Sequence, residues 1–498
     1  MIRLLTHRTS PDCTNAETPL IITLSNHAYA ILSNPMTSNP DWKTVDKWLM
    51  GEAFVGSRLD EHLYEICERI GSRWAGTPGD VAAARYIRNR FEEFGLSDPR
   101  LEEFELKAWD YSDCEGRIVE DDRPISLVPM IHCPPVDMTA PLVDVGFGMP
   151  HEIAACADGL PGSIAVVQNA DEPFSDRIPL PDRLRSLAEA GCLAAIAVEP
   201  TAGGHVETVR ATDKRWNEKA GDVLPHPLPT AQTHREDGVR LRRAAGKTFA
   251  LRIESRAFTA PCWNTVADLP GGEWPGESLV LGAHQDTYMG SPGAVDDGSG
   301  LVVLLETVRL LADARRELGI PPGMSIRFCT WSGEEQNHQG SAAYVREHYG
   351  PEPEPRFVVN LDELSAGPIK GVVLQFPHLR GLVQAKLDEM DEGLKCHVMP
   401  MLDHTNDGFS FARSAIPYAI LWRWRFVGRY ADTNYRAEPW DTVDKVRTRE
   451  LKEYVGYLAR FLLRLSHVPP ADWPPNPEAV EGVEARLQRE IGSVARTM

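Results

Sequence analysis

"LGAHQDTYMGSPGAVDDGSG", residues 281–300, ends the apolar run "SLVLGA" and then sets His284, Asp286 and the pair Asp296–Asp297 in a glycine-rich segment. A short continuous apolar run is the pattern of a strand buried on both faces. A long amphipathic helix, "GSGLVVLLETVRLLADARREL", follows at 298–318. Further strands are expected at "MSIRFCTW" (324–331), "FVVNLDE" (357–363) and "AIPYAIL" (415–421). "TRELKEYVGYLARFLLRL" (448–465) reads as a closing helix. Buried strands alternating with helices imply an α/β fold, a mixed and mostly parallel sheet sandwiched by helices.

In such sheets ligands bind beyond the carboxyl ends of the strands. His284 and Asp286 follow one predicted strand, Glu334 and Glu335 the next, and Asp362 a third. Asp296 and Asp297 precede the long helix. Taken singly, an Asp-Asp-Gly is commonly a turn or cap, and a Glu-Glu pair is commonly solvated. Together and in this order they would crowd carboxylates onto one rim, where they repel one another without a cation. Imidazole with carboxylates and no thiolate suits zinc, with manganese or cobalt as alternatives. No G-x-S-x-G elbow, H-E-x-x-H helix or phosphate-binding loop offers a competing chemistry.

"AHQDTYMGSPGAVDDGSG", "TWSGEEQNHQGS" (330–341) and "VNLDELSAG" (359–367) resemble the successive signatures of the co-catalytic zinc aminopeptidase and glutamate carboxypeptidase family. The resemblance runs from about residue 50 to 466. It implies His284 and Asp362 as terminal ligands of one zinc, Asp296 as the bridge to a second, and Glu335 on that second ion. It implies Glu334 as the general base and Asp286 as the residue that orients His284, with Asp297 structural.

The resemblance also exposes a departure. The family supplies a late histidine in a segment of the form Tyr-His-Thr-x-x-Asp-Thr. Here "NYRAEPWDTVDKV" (434–446) keeps Asp441 and Thr442 but has Arg436 or Ala437 at the ligand position. Arginine stays protonated and has no lone pair to give. His404, in "MLDHTNDGFSF" (401–411), is the candidate replacement, since Asn406, Asp407 and Phe411 align with a family loop near the site. His338, where the family prefers an apolar residue, is a second. A single ion on His284, Asp296 and Asp362 is the other solution, giving one or two zinc ions per chain.

At 498 residues the chain should hold two or three domains. Residues 41–110 read as helical, with Thr77-Pro78-Gly79 as a break. Short β-like runs then appear, "GSIAVVQNA" and "LAAIAVE" among them, with the helix-like "DRLRSLAEAGC" between. The expected division is a leader over 1–40, a catalytic domain over 41–113 and 257–467, a β-rich α+β insert over 114–256, and a tail over 468–498 forming one surface helix. The insert resembles the protease-associated domain of that family. Natural initiation at Met36 rather than Met1 is an open alternative.

A net charge of −20 argues against nucleic-acid and anionic-membrane partners. Nine scattered cysteines without a C-x-x-C pair, and no convincing signal peptide, suggest a reducing, cytoplasmic setting. "LWRWRFVGR" (421–429) places Arg423 and Arg425 on one face of a strand, and with Arg436 they could receive a substrate carboxylate. The sheet edge and the closing helix offer surfaces for a homodimer. The expected activity is metal-dependent hydrolysis of an amide bond in a small peptide or N-acyl compound. A non-catalytic binding protein on a degenerate peptidase fold is the alternative.

Overall fold

The computed structural model describes residues 40–206, 226–349, 354–364, 367–423, 435 and 437–497. The chain from Trp42 onward forms one compact unit. Its strands are β1 (Ser97–Ile118), β2 (Arg123–Ser126), β3 (Val128–Pro129), β4 (Val136–Asp144), β5 (Ile164–Gln168), β6 (Ala194–Val198) and β7 (Thr230–Thr233). They continue as β8 (Thr248–Leu269), β9 (Trp274–His284), β10 (Met324–Trp331), β11 (Phe357–Leu361), β12 (Ile369–Leu374), β13 (Lys395–Val398) and β14 (Tyr418–Arg423). The hydrogen-bonded order is β13-β12-β14-β11-β9-β10-β8-β4-β5-β6-β7-β3, with β1 and β2 paired beside β8.

Two parallel stretches stand at opposite ends of this path. One is β14-β11-β9-β10, the other β4-β5-β6-β7. The antiparallel ribbon of β1 and β8 joins them, paired from Ser97–Asp268 to Ile118–Phe249. This ribbon runs through both expected domain boundaries, 113/114 and 256/257, with a register shift between Tyr111 and Asp113 beside them.

The ribbon corrects the helical expectation for 41–110. Helices α1 (Trp42–Val55), α2 (Leu59–Leu63) and α3 (Pro78–Glu93) do occupy the first part. From Ser97 the chain is extended: Phe104, Leu106 and Ala108 are buried, while Glu103, Glu105 and Lys107 face solvent. That period of two is a strand signal. It stands directly after a period-3.6 segment and shares its charged composition, so the change of period marks the boundary.

The remaining helices are α4 (Pro150–Ala155), α5 (Leu180–Glu189), α6 (Arg235–Arg243), α7 (Ser299–Asp313), α8 (Gln339–His348), α9 (Arg380–Asp388), α10 (Gly408–Arg413), α11 (Thr448–Ser466) and α12 (Val480–Thr497). The amphipathic expectation for α7 needs correction: every residue except Asp313 is buried. It packs on β9, β10 and β11, and α1, α2 and α11 cover its other side. A helix covered all round is mostly apolar and must pair the charges it keeps, as Arg309 does with Glu306 at 3.0 Å. The tail also departs from a plain surface helix, since Val483 and Leu487 of α12 are buried in a cluster with Phe409, Phe411 and Tyr418. Among the described residues no helix is long and apolar enough to cross a membrane.

Candidate metal centre

β9 lies between β11 and β10, so the chain leaves β9 through α7 to one neighbour and then crosses over it through α8 to the other. Reversal of strand order opens a crevice at the carboxyl ends. His284 is the last residue of β9, Ser332 to Glu335 follow β10, and Asp362 follows β11. Asp296 and Asp297 stand in the turn before α7. The clusters after β9, β10 and β11 therefore reach the crevice because a buried strand ends beneath each.

His284 is held at both ring nitrogens. Nδ1 lies 3.1 Å from the backbone oxygen of Asp286 and 3.5 Å from its Oδ1. A carbonyl accepts, so Nδ1 carries a proton and Nε2 is turned to the crevice. There Nε2 lies 3.0 Å from Asp296 Oδ1 and 3.9 Å from Asp362 Oδ1. Donor atoms of His284, Asp296 and Asp362 lie within 4.8 Å of one another, as do those of His284, Glu334 and Glu335.

The supporting contacts fix this arrangement. The Asp286 carboxylate receives the backbone N–H of Glu334 through one oxygen and that of Glu335 through the other, each at 3.2 Å. Asp286 therefore anchors the glutamate loop as well as facing the His284 ring. Asp297 Oδ1 receives Gly300 N at 2.9 Å and Glu363 N at 3.1 Å, tying the start of α7 to the loop after β11. A Cβ on Gly300 would sit 2.3 Å from that carboxylate, which explains glycine there. Asp441 receives Val295 N at 2.8 Å and Asp296 N at 3.0 Å, which holds the Asp296 backbone from below.

The electrostatics follow from crowding. Burial, then the charges of Asp296 and Glu334, push the Glu335 carboxyl well up. Burial raises Asp362 and Asp296 in the same direction, and His284 opposes the rise. Burial alone would lower the His284 imidazole, yet Asp286 and Asp296 hold it well above its ordinary value. Glu335 Oε1 is buried with no hydrogen-bond partner. A buried carboxylate oxygen without a donor is costly, and a divalent cation would satisfy it and the neighbouring charges together. The donor set, one imidazole and several carboxylates with no thiolate, fits such an ion.

The other sequence candidates are less central. His404 is half-buried in the loop before α10, its ring edge-on to Phe409 at 6.3 Å between centroids. It is absent from the donor clusters found among the described residues. His338 is buried, with Nε2 2.8 Å from Glu334 Oε1. Arg423 closes β14; Arg425 and Arg436 lie outside the described residues. Ala437 is buried with φ of 59°.

Three buried carboxylates were not singled out by residue pattern. Asp407 served only as an alignment landmark. Its carboxylate is fully buried, and burial followed by the Glu334 charge pushes it well up, with Ser341 opposing the rise. Asp80 of α3 receives Gln285, Ser332 and Cys262 side chains, and burial with the Asp286 charge raises it to about 6. Glu438 is buried against His205 Nδ1 at 2.9 Å, a contact from the far side of the ribbon. Their signal is tertiary, since each gains meaning only from distant partners.

Residues 264–462 match the model of peptidase family M28. Among curated proteins the chain resembles carboxypeptidase Q of Mus musculus, 25% identical over 62% of this chain and 66% of that protein. It also resembles leucine aminopeptidase 2 of Arthroderma otae, 24% identical over 58% of this chain and 53% of that protein. The matches thus span less than two thirds of these relatives' own length. A peptidase M28 precursor from Shewanella amazonensis shares the fold at TM-score 0.69, 18% identical, covering 88% of this chain and 99% of that one. The zinc aminopeptidase BSAP of Bacillus subtilis does so at TM-score 0.65, 18% identical, covering 84% and 98%.

Proposed function

We propose, from the match of residues 264–462 to peptidase family M28, that this chain is a zinc-dependent hydrolase of peptide or related amide bonds. The observation that carries it is the buried gathering of His284, Asp296 and Asp362 beside Glu334 and Glu335, with an orphaned carboxylate oxygen among them. His284, Asp296, Asp362 and Glu335 would hold one or two zinc ions, with manganese or cobalt as alternatives. Bound there, the metal would polarise the scissile carbonyl and acidify water. Glu334 takes the proton from the attacking water and delivers it to the departing amine. Asp286 holds the His284 ring and the loop that carries Glu334.

The finer assignments rest on narrower support. The names of the carboxypeptidase and aminopeptidase relatives support a small peptide substrate, with N-acyl compounds as the neighbouring class. Arg423, Arg425 and Arg436 are assigned to a substrate carboxylate from the sequence pattern. His404 is assigned as the replacement for the late histidine. The insert, over about 114–256, serves as a protease-associated-like roof, which the His205–Glu438 contact supports. The eight cysteines among the described residues are free thiols, which supports a reducing, cytoplasmic setting. A homodimer without nucleic-acid or membrane partners completes the assignment.

The test is metal content with activity. Protein purified without chelator should carry zinc and hydrolyse peptides from a mixed dipeptide and aminoacyl-amide set. Two ions in the wild type and one in His404→Ala would establish His404 as a ligand. One ion in both would leave the centre on His284, Asp296 and Asp362 alone. No metal uptake after zinc and manganese are supplied would sink the hydrolase assignment and leave a binding protein.

A further inference from the structure

His338 stands four residues after Glu334 in a turn that the backbone adopts at a cost. Asn337 and His338 both have left-handed conformations, with φ of 78° and 55°. Such angles are unfavourable without glycine and persist only where surrounding contacts enforce them. The contacts are specific. The N–H groups of Asn337 and His338 both donate to the Glu334 carbonyl, at 2.9 and 3.0 Å, and Gln339 N donates to Gly333 O at 3.0 Å. Gln339 pairs with the backbone of Lys107 in both directions, and Gln336 receives Trp109 N, so β1 clamps the turn. The result is that the His338 ring, buried, meets the Glu334 carboxylate with Nε2 2.8 Å from Oε1.

An ionised carboxylate can only accept, so Nε2 must carry the proton in this contact. An N–H donor on one carboxylate oxygen fixes the plane of the group. We propose that His338 is the positioning residue for Glu334: its Nε2–H holds Oε1 and so sets the orientation in which the carboxylate takes the proton from water and returns it to the leaving amine. No proton is consumed in this cycle, and His338 keeps its own. The assignment rests on the hydrolase function proposed above. It also accounts for a polar residue at a position where the resembled family prefers an apolar one.

The variants His338→Leu and His338→Gln test it on the metal-loaded protein. Leucine removes the donor, and glutamine restores an N–H donor on an uncharged side chain. Removing such a supporting partner typically costs about 10- to 100-fold. His338→Leu should therefore lose that factor in kcat, with KM within about twofold and metal content unchanged, and His338→Gln should recover most of it. A wild-type kcat in His338→Leu, or an equal loss in both variants, overturns the assignment. A second readout needs neither metal nor turnover. In metal-free protein labelled with ¹⁵N-histidine, the His338 Nε2 resonance should report a protonated nitrogen and shift on Glu334→Gln, and an unmoved resonance overturns the contact. A wild type that carries metal yet hydrolyses no peptide sinks the hydrolase function and this role together. An active wild type with an unaffected His338→Leu sinks this role alone.

Discussion

The molecule contains two parallel strand sets with helices packed on them, and among the described residues the buried metal-donor groups gather at one of them, the smaller set having only the more exposed His151, Glu152 and Glu172. In the smaller set, β5, β6 and β7 end near Asn169, Glu199 and Gln232. There the Glu199 carboxylate receives the Asn169 amide at 2.9 Å and the Gln232 amide at 3.1 Å. Its buried charge is met by donors. At the ends of β9, β10 and β11 the carboxylates instead face one another, with Glu335 Oε1 unpartnered and several carboxyls driven up by burial. Strand ends alone do not make a site. What separates the two ends is unsatisfied acceptor capacity, which in one case the protein closes with its own amides and in the other leaves for a ligand.

The hardest way to break this contrast is Glu334→Gln. If the β10 loop is chemical, turnover should fall about 10³-fold while metal content and melting temperature hold; unchanged turnover would remove the distinction. Glu335→Gln should act on the acceptor surplus itself, lowering the zinc per chain measured by elemental analysis. Equal zinc in variant and wild type would mean that Glu335 is not part of the ion's shell.

A smaller effect concerns pH. Asp80 titrates at about 6 in the fold against an ordinary 3.8, so the folded state binds its proton more tightly. Its contribution to stability is complete below about pH 4 and is lost as the pH rises through 6, a swing of about 3 kcal/mol. Metal-free protein should accordingly melt at falling temperature between pH 4 and 7. Asp80→Asn should flatten that slope, as read by calorimetry, and an unchanged slope would assign it to other groups. Smallest of all, Glu199→Gln should cost about 1–3 kcal/mol of stability and leave turnover and zinc untouched. A loss of zinc there would mean the smaller set is not the inert partner described.

The larger strand set was legible because its strands are continuous apolar runs and each ends in ionisable residues. "SLVLGA", "MSIRFCTW" and "FVVNLDE" correspond to β9, β10 and β11. β1 was not legible as a strand, because Glu102, Glu103 and Glu105 give it the composition of the helix before it, and only the alternation of Phe104, Leu106 and Ala108 separates them. Within the site, the meeting of His284, Asp296 and Asp362 could be foreseen from order along the chain. The contacts of Asp80, Asp441 and His338 could not. They depend on turns and crossings that bring together residues with no local pattern in common, and the left-handed Asn337–His338 turn carries no glycine to announce it.

The ribbon of β1 and β8 also constrains how the chain comes to be. Every residue pair from Arg100–Val266 to Trp109–Ala257 encloses the whole insert, and those inward to Ile118–Phe249 enclose most of it. On a ribosome β1 therefore emerges long before its partner and waits as an open edge with an alternating apolar face. Such edges recruit other strands, and contacts so distant along the chain form late. The pairing predicts an order of assembly in which the insert condenses before β8 pairs with β1, and β10 joins β8 afterwards. Until β8 arrives, the β1 edge is a surface of the kind that promotes aggregation during synthesis.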